Sequence, residues 1–368
     1  MSYKNKLFEK KKPYEFDHEL FFKAMKENTI YQYEHCKEYA DILKRMNFSP
    51  YDLNSYDDLH KIPVIPTLYL KKHHLFSMSN NRLLIKATSS GTSGKKSIIG
   101  YNFSSLYRGL RMILSLGKTH HLFSLRPVHY LLFGYQPHKS NETVISKTTY
   151  GFTYFAPALS RTYALKYTKD GYQLDLDNLK NKFIQYSKKK VPVRTAGFPA
   201  YTYFLLKQMK EEGLKVQLPK GSLMTLGGGW KQFYAEQISK KDFYALVYEV
   251  LGIEEDHIIE FFGAVEHPIL YVDCSCHHFH LTNFSRVIIR DVDTLEPVEN
   301  GKIGLINLLT PMVDSVPLVS IMTDDLGILH DEKCSCGIST PWLEIIGRVG
   351  IQDIVTCAAG AQELLKEE

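Results

Sequence analysis

Between residues 16 and 46, apolar side chains recur at three- and four-residue spacing (Leu20, Phe21, Ala24, Met25, then Tyr39, Ile42, Leu43, Met46), with Asp17 placed to cap the start. The spacing predicts a helical N-terminal segment. In Ile62-Pro63-Val64-Ile65-Pro66 each proline removes a backbone donor and holds its predecessor extended, so this stretch reads as an extended connector. Leu83-Leu84-Ile85 and Ile98-Ile99 predict two strands flanking a polar loop. Over residues 104–116, Leu106, Leu110, Ile113 and Leu114 share one helical face, and residues 128–133 form an apolar run expected as a buried strand. The alternation continues with helices over 176–186, 201–210 and 233–250, and strands over 191–197, 222–226 and 257–262. Such a rhythm predicts an α/β body. From about Val287 the pattern changes to short strands at 287–290, 302–309, 318–322 and 327–330, separated by turns, which indicates a mostly antiparallel β-subdomain.

These changes of pattern divide the chain into a helical segment (1–80), an α/β body (81–285), a β-subdomain (286–346) and a short tail (347–368). At 368 residues, 44% hydrophobic and 23% charged, the composition is that of an ordinary globular protein. The net charge of +5 is mild, and the runs Lys10-Lys11-Lys12 and Lys188-Lys189-Lys190 are balanced by acids or fall in an expected loop, so nucleic acid is not an expected partner. No apolar run follows the N-terminus, and none approaches the ~18 residues of a membrane span, so a cytoplasmic chain without a signal peptide is expected.

Six cysteines change the picture more than charge does. Cys274 and Cys276 form one C-x-C pair and Cys334 and Cys336 another, while Cys36 and Cys357 stand alone. In a reducing compartment paired C-x-C sites favour a metal over disulfides. With His277, His278 and His280 nearby, they offer more ligands than the four a structural Zn²⁺ takes. The expected set is Cys274 or Cys276 with His280, Cys334 and Cys336; the alternative is reduced thiols and solvated histidines.

The remaining candidate chemistry lies in loops and strand ends. In Thr88-Ser89-Ser90-Gly91-Thr92-Ser93-Gly94-Lys95-Lys96, glycines turn N–H groups toward an anion, hydroxyls add donors and lysines add charge. It is not a Walker A loop, because Ser89 stands where that pattern needs glycine. Gly227-Gly228-Gly229-Trp230 ends an expected strand, where a flat ring or a phosphate can approach the main chain. Phe261-Phe262-Gly263-Ala264-Val265-Glu266 is a second strand end, whose glutamate could hold Mg²⁺ against phosphates or be a plain surface acid. Thr323-Asp324-Asp325-Leu326-Gly327 is expected as a turn with carboxylates for ribose hydroxyls, and Gly347-Arg348 offers a further cation.

In this order, the motifs at 88–95, 227–230, 262–266, 323–325 and 347–348 resemble the phosphate-loop, adenine, metal-glutamate, ribose-aspartate and hinge motifs of the adenylate-forming superfamily. Cys334-Ser335-Cys336-Gly337 resembles the phenylacetate-CoA-ligase-like branch. The proline connector and Gly227-Gly228-Gly229-Trp230-Lys231 are most similar to the LuxE-type acyl-protein synthetases of bacterial fatty-acid reductase complexes, over nearly the whole chain. The resemblance implies the N-terminal domain of an adenylate-forming enzyme, Mg²⁺-dependent use of ATP to make a fatty acyl-AMP, and transfer of the acyl group to a cysteine near the C-terminus. Acyl-reductase and acyl-transferase proteins are the implied partners. Cys357, in Val355-Thr356-Cys357-Ala358-Ala359-Gly360, is the cysteine at the matching position.

The chain departs from the superfamily pattern after Arg348, where 20 residues remain and the usual C-terminal domain with its lysine is not expected. Lys231 could supply the missing charge, together with Lys95 and Lys96. Two rival functions stand beside this one: a ligase passing its acyl group to CoA or a carrier protein, and a non-catalytic nucleotide-binding subunit.

Overall fold

The computed structural model describes residues 2–89, 96–139, 141, 143–230, 233 and 236–348. The chain divides into two compact units, residues 1–119 with 263–368, and residues 120–262. Compactness therefore joins the N-terminal helices to the antiparallel strands near the C-terminus and sets apart the middle of the α/β body.

The 120–262 unit is the alternating part of the sequence folded as a parallel sheet. Its strands lie in the order Ile258–Ala264, Leu223–Gly227, Val193–Gly197, Val128–Tyr135 and Ala158–Thr168, with Gly171–Leu174 antiparallel at the edge. The apolar run at 128–133 is buried on both faces because successive side chains point to opposite sides of a strand. Leu131 and Phe133 enter one core with Phe183, Leu205, Met209 and Val247, while Val128, Tyr130 and Leu132 pack with Ala156, Tyr163 and Ala196.

The strand Val193–Gly197 turns into the helix Pro199–Glu211 through Gly197, whose φ is +140°. A Cβ at this position would lie 2.2 Å from the Phe133 carbonyl oxygen, which also accepts the Phe198 N–H at 3.0 Å. Gly197→Ala is therefore expected to lower the unfolding free energy by more than about 1–3 kcal/mol, read as an earlier urea midpoint at unchanged slope. An unmoved midpoint would mean that the strand end relaxes freely.

The helix expected over 233–250 begins later, at Lys240, and runs to Leu251. The Ser239 side chain caps it by accepting from the Asp242 N–H at 3.1 Å, and Gly252 closes it in the left-handed region at φ +65°. The pair of caps sets the length of this helix more tightly than the apolar spacing does.

In the other unit the N-terminal helical segment forms, with Asp17 capping His18–His35 through the Leu20 N–H at 3.0 Å. It is interrupted at Cys36, which is extended (φ −122°, ψ 103°) before a second helix, Lys37–Arg45. The main sheet orders Phe279–His280, Trp342–Arg348, Ser320–His330, Ile303–Leu309 and Arg286–Arg290, all antiparallel. The proline connector is extended as expected, and its Ile65–Pro66 pairs in parallel with Ile321 and Met322.

Two expectations are corrected here. Residues 323–327 are not a turn: the strands expected at 318–322 and 327–330 are one strand, Ser320–His330, with a register shift at Leu326/Gly327. Leu326 pairs on both sides, with Leu305 and Gly347, Asp325 pairs with Arg348, and the strand bulges against Ile303–Leu309, where the register shifts between Leu305 and Asn307. Gly327 lets the strands approach, since a Cβ there would meet the Glu344 carbonyl at 2.6 Å. The second correction concerns the helix Phe103–Thr119, where Leu110 and Leu114 are exposed and the buried face carries Ser105, Arg108, Met112 and Leu116. An ion pair sets that orientation: Arg108 reaches 2.6 Å from Asp314, which also holds Lys4 at 2.7 Å. Among the described residues no helix is long and apolar enough to cross a membrane.

Candidate functional site

The polar loop predicted between two strands is a hairpin loop. Ile85–Thr88 and Ile98–Tyr101 pair antiparallel, from Ile85 opposite Tyr101 to Thr88 opposite Ile98. Its base is closed by Ser89 and Ser97, both buried: Ser89 N–H donates to the Ser97 carbonyl at 3.1 Å, and Ser97 N–H donates to the Ser89 hydroxyl oxygen at 3.0 Å. Ser89 thus braces the loop, Thr88 ends its first strand, and Lys96 is exposed at its far side. Ser90, Gly91, Thr92, Ser93, Gly94 and Lys95 lie outside the described residues, as do Lys231 and Cys357.

Glu266 follows the Gly263-Ala264 strand end and is only 5% exposed, not the surface acid that its type alone suggests. Its Oε1 has no hydrogen-bond partner among the described residues. The adjacent His267 imidazole brings no compensating charge, because burial pushes it down to about 3; its Nε2 pairs with the Tyr271 hydroxyl at 3.1 Å. Burial and the Glu266 carboxylate together push the Tyr101 hydroxyl above its ordinary value, so a neutral phenol stands near the acid. A buried carboxylate with an unpartnered oxygen fits a hard cation, which takes oxygen ligands. Gly263 sits against the following strand, where a Cβ would come within 3.0 Å of the Ile269 carbonyl.

The strand that replaced the expected turn separates the two aspartates. Asp324 accepts from the Thr67 hydroxyl at 2.9 Å and lies 3.7 Å from the Lys71 ammonium, both on the short helix Thr67–Lys72. Asp325, the next residue, stands in register with Arg348 on the neighbouring strand. One of the two carboxylates taken for ribose and the arginine of the hinge motif are thus cross-strand neighbours.

In the 120–262 unit, Gly227 ends its strand, and Gly228 and Gly229 follow with φ of +86° and +67°. Trp230 is buried, packing on Tyr203 (ring centroids 5.5 Å apart) and Phe243 (6.4 Å). The glycines form a left-handed turn at the carboxyl end of a central strand, the place where open α/β sheets bind ligands. Phe262 lies one strand over, in the Ile258–Ala264 strand.

The cysteines converge. One ligand atom each from Cys274, His280, Cys334 and Cys336 lies within 4.8 Å of the others, with the Cys274 and Cys334 sulfurs 3.8 Å apart and Cys336 Sγ 3.3 Å from His280 Nε2. Cys276, the alternative to Cys274, turns instead to the Ser335 hydroxyl at 3.0 Å.

Thr67, Lys71 and Tyr101 were not singled out from the sequence. Their i,i+4 spacing puts Thr67 and Lys71 on one helix face, but no local signal tells that Asp324, 257 positions from Thr67, faces them.

Residues 7–366 match the family model described as acyl-protein synthetase, LuxE. A long-chain-fatty-acid–luciferin-component ligase of Aliivibrio fischeri is 24% identical over 364 residues, 96% of this chain and 91% of that protein. A ligase of the same name from Vibrio harveyi is 24% identical over 331 residues, 89% and 83% of the two chains. A phenylacetate-coenzyme A ligase of Thermus thermophilus is 24% identical over 324 residues, 85% and 66%. Among solved structures, the open conformation of 2-hydroxyisobutyryl-CoA ligase superposes with a TM-score of 0.67 at 16% identity, covering 90% of this chain and 74% of that one. The expected fold, the α/β sheets and β-subdomain of an adenylate-forming N-terminal domain, is the fold observed.

Proposed function

The chain belongs to the acyl-protein synthetase (LuxE) family, and on that premise we propose that it activates a fatty acid with ATP and carries the acyl group on its own Cys357 to an acyl-reductase partner. The fatty carboxylate attacks the α-phosphorus of ATP in line, and the bond to pyrophosphate breaks. A carboxylate is already ionised at pH 7, so this step needs no base. The Cys357 thiolate then attacks the acyl carbonyl, AMP leaves, and the thiol proton goes to solvent.

Residue roles follow from the motifs. Residues 88–95 grip the β- and γ-phosphates, with Lys96 and Lys231 adding positive charge. Gly227, Gly228, Gly229 and Phe262 receive the adenine. Asp325 and Arg348 bind the ribose, with Asp324, tied to Thr67 and Lys71, fixing the strand that carries Asp325. Glu266 holds Mg²⁺, which when bound neutralises charge on the phosphates and on the departing pyrophosphate. The observation that carries the nucleotide half is the buried carboxylate of Glu266 with its unpartnered oxygen. The acyl half is supported by family membership and by relatives named for long-chain fatty acids.

The test is incubation with ATP and radiolabelled fatty acid. Wild-type protein is expected to take up a covalent label that Cys357→Ser loses, while acid-dependent ATP–pyrophosphate exchange survives the substitution. Label persisting on Cys357→Ser would move the acceptor elsewhere. No label on either protein, with a thioester forming once CoA is added, would favour the CoA-ligase reading that the Thermus relative supports. No exchange with any carboxylic acid would leave a nucleotide-binding subunit.

A further inference from the structure

We propose that Cys274, His280, Cys334 and Cys336 bind one Zn²⁺ in a closed, structural site that anchors the strand leading to Arg348. This inference is independent of the acyl-transfer reading. Zn–S bonds of about 2.3 Å at the tetrahedral angle place two sulfurs about 3.8 Å apart. That is the separation of the Cys274 and Cys334 sulfurs, 3.8 Å, and the four ligand atoms all lie within 4.8 Å of one another.

The surroundings of the sulfurs carry the argument further. The Cys276 N–H donates to Cys274 Sγ at 3.3 Å, and the Ile338 N–H donates to Cys336 Sγ at 3.4 Å. In both C-x-C segments, then, the amide two residues on is aimed at the sulfur, the arrangement that stabilises thiolate charge. His277 (φ +57°) and Gly337 (φ +87°) take left-handed backbone just after Cys276 and Cys336, turning the chain back at each segment. The imidazole is set as well: His280 Nδ1 pairs with the Thr340 carbonyl at 2.7 Å, which fixes that nitrogen as the protonated one and leaves Nε2 facing Cys336 as a lone pair. Three thiolates and an imidazole are the donors of a structural zinc centre and leave no open position for substrate.

Among the described residues no disulfide joins the segments that supply the ligands. Cys274 and His280 flank a turn in which His277 N–H donates to the Cys274 carbonyl, and Cys334 and Cys336 lie about 60 positions later. His280 pairs with Trp342, and Phe279 with Leu343, at the start of the Trp342–Arg348 strand. Trp342 is itself sandwiched between His278 (3.7 Å) and His330 (3.8 Å). Metal binding at the head of this strand would anchor its first residues, with Arg348 at the strand's other end.

The full-length protein, purified under reducing conditions without chelator, is expected to contain one zinc per chain by inductively coupled plasma mass spectrometry. Cys336→Ser and His280→Ala should lose it, whereas Cys276→Ser should keep it. Should the first two variants fail to fold, wild-type protein stripped of metal and titrated with Co²⁺ provides the second reading, because three thiolates and an imidazole give intense tetrahedral d–d bands and thiolate-to-cobalt charge transfer at one equivalent. The proposal is overturned by wild-type protein that holds neither zinc nor cobalt. Iron in place of zinc, zinc retained in full by Cys336→Ser, or a Cys274–Cys334 disulfide read as a mass two hydrogens lower would overturn it equally.

Discussion

Glu266→Gln is expected to cut fatty-acid-dependent ATP–pyrophosphate exchange by about 100- to 1,000-fold while leaving the thermal midpoint at or above the wild-type value. Glutamine keeps the shape of the side chain and removes the charge. If the carboxylate were there only to support the fold, its replacement would cost stability; but Oε1 makes no hydrogen bond among the described residues, and the neighbouring imidazole is neutral. Burying a carboxylate without a partner is itself unfavourable, so the amide should be tolerated by the folded protein and not by the nucleotide-bound state. Exchange measured across a Mg²⁺ titration decides the matter: near-wild-type rates at every concentration would remove Glu266 from the site.

A second substitution should act on stability alone. Asp314→Ala is expected to lower the unfolding free energy by about 3–5 kcal/mol, because it leaves two buried cations without their common anion. Asp314 meets Lys4 at 2.7 Å and Arg108 at 2.6 Å, with the three side chains 11%, 7% and 1% exposed. Lys4 also donates to Asn28 at 3.2 Å, and Arg108 to the Met312 carbonyl at 2.7 Å and to Asn5 at 3.0 Å, so the network ties the N-terminal helix Tyr3–Phe8 to the helix Phe103–Thr119 and to the 312–314 segment. Burial alone would raise the Asp314 carboxyl, but the Arg108 and Lys4 charges hold it below its ordinary value. A depressed carboxyl contributes stability that is present above its unfolded value of about 3.9 and is lost as pH falls through the folded one. The wild-type midpoint in urea should therefore drop more steeply below about pH 4 than that of Asp314→Asn. Combining Asp314→Ala with Lys4→Met and Arg108→Met should restore much of the loss, since no charge is then buried unpaired. A single Asp314→Ala variant as stable as wild type would show that the cations find other partners or water.

The same network explains why one face was misread from the pattern. Leu110 and Leu114 share a helical stripe with Leu106 and Ile113, and a stripe of leucines ordinarily turns inward. Here Arg108 must reach Asp314, 206 positions later, and the helix turns with it. The aspartate pair at 324–325 was misread for a related reason. Asp-Asp before Leu-Gly has the composition of a turn, and composition carries no knowledge that Arg348 will pair with Asp325 and that Leu326 will pair on both sides.

Several features are local and were legible in the chain itself. Proline chemistry makes 62–66 extended, the largely apolar run at 128–133 makes a doubly buried strand, Asp17 caps its helix, and the strand–loop–strand form of residues 83–99 follows from two apolar runs around glycines and hydroxyls. Period and backbone restriction act over a few residues, so sequence alone carries them. The order of the motifs, too, is a property of sequence, and it points to the family that the whole-chain match establishes. Tertiary structure decided the rest: Cys274 over Cys276 as the thiol beside Cys334, Thr67 and Lys71 as the partners of Asp324, Asp325 in register with Arg348, and a glutamate buried with one oxygen unpartnered. Each of these depends on residues tens to hundreds of positions apart being brought within a few ångströms, and on burial, which turns an ordinary surface acid into one that calls for a cation. No local pattern encodes either.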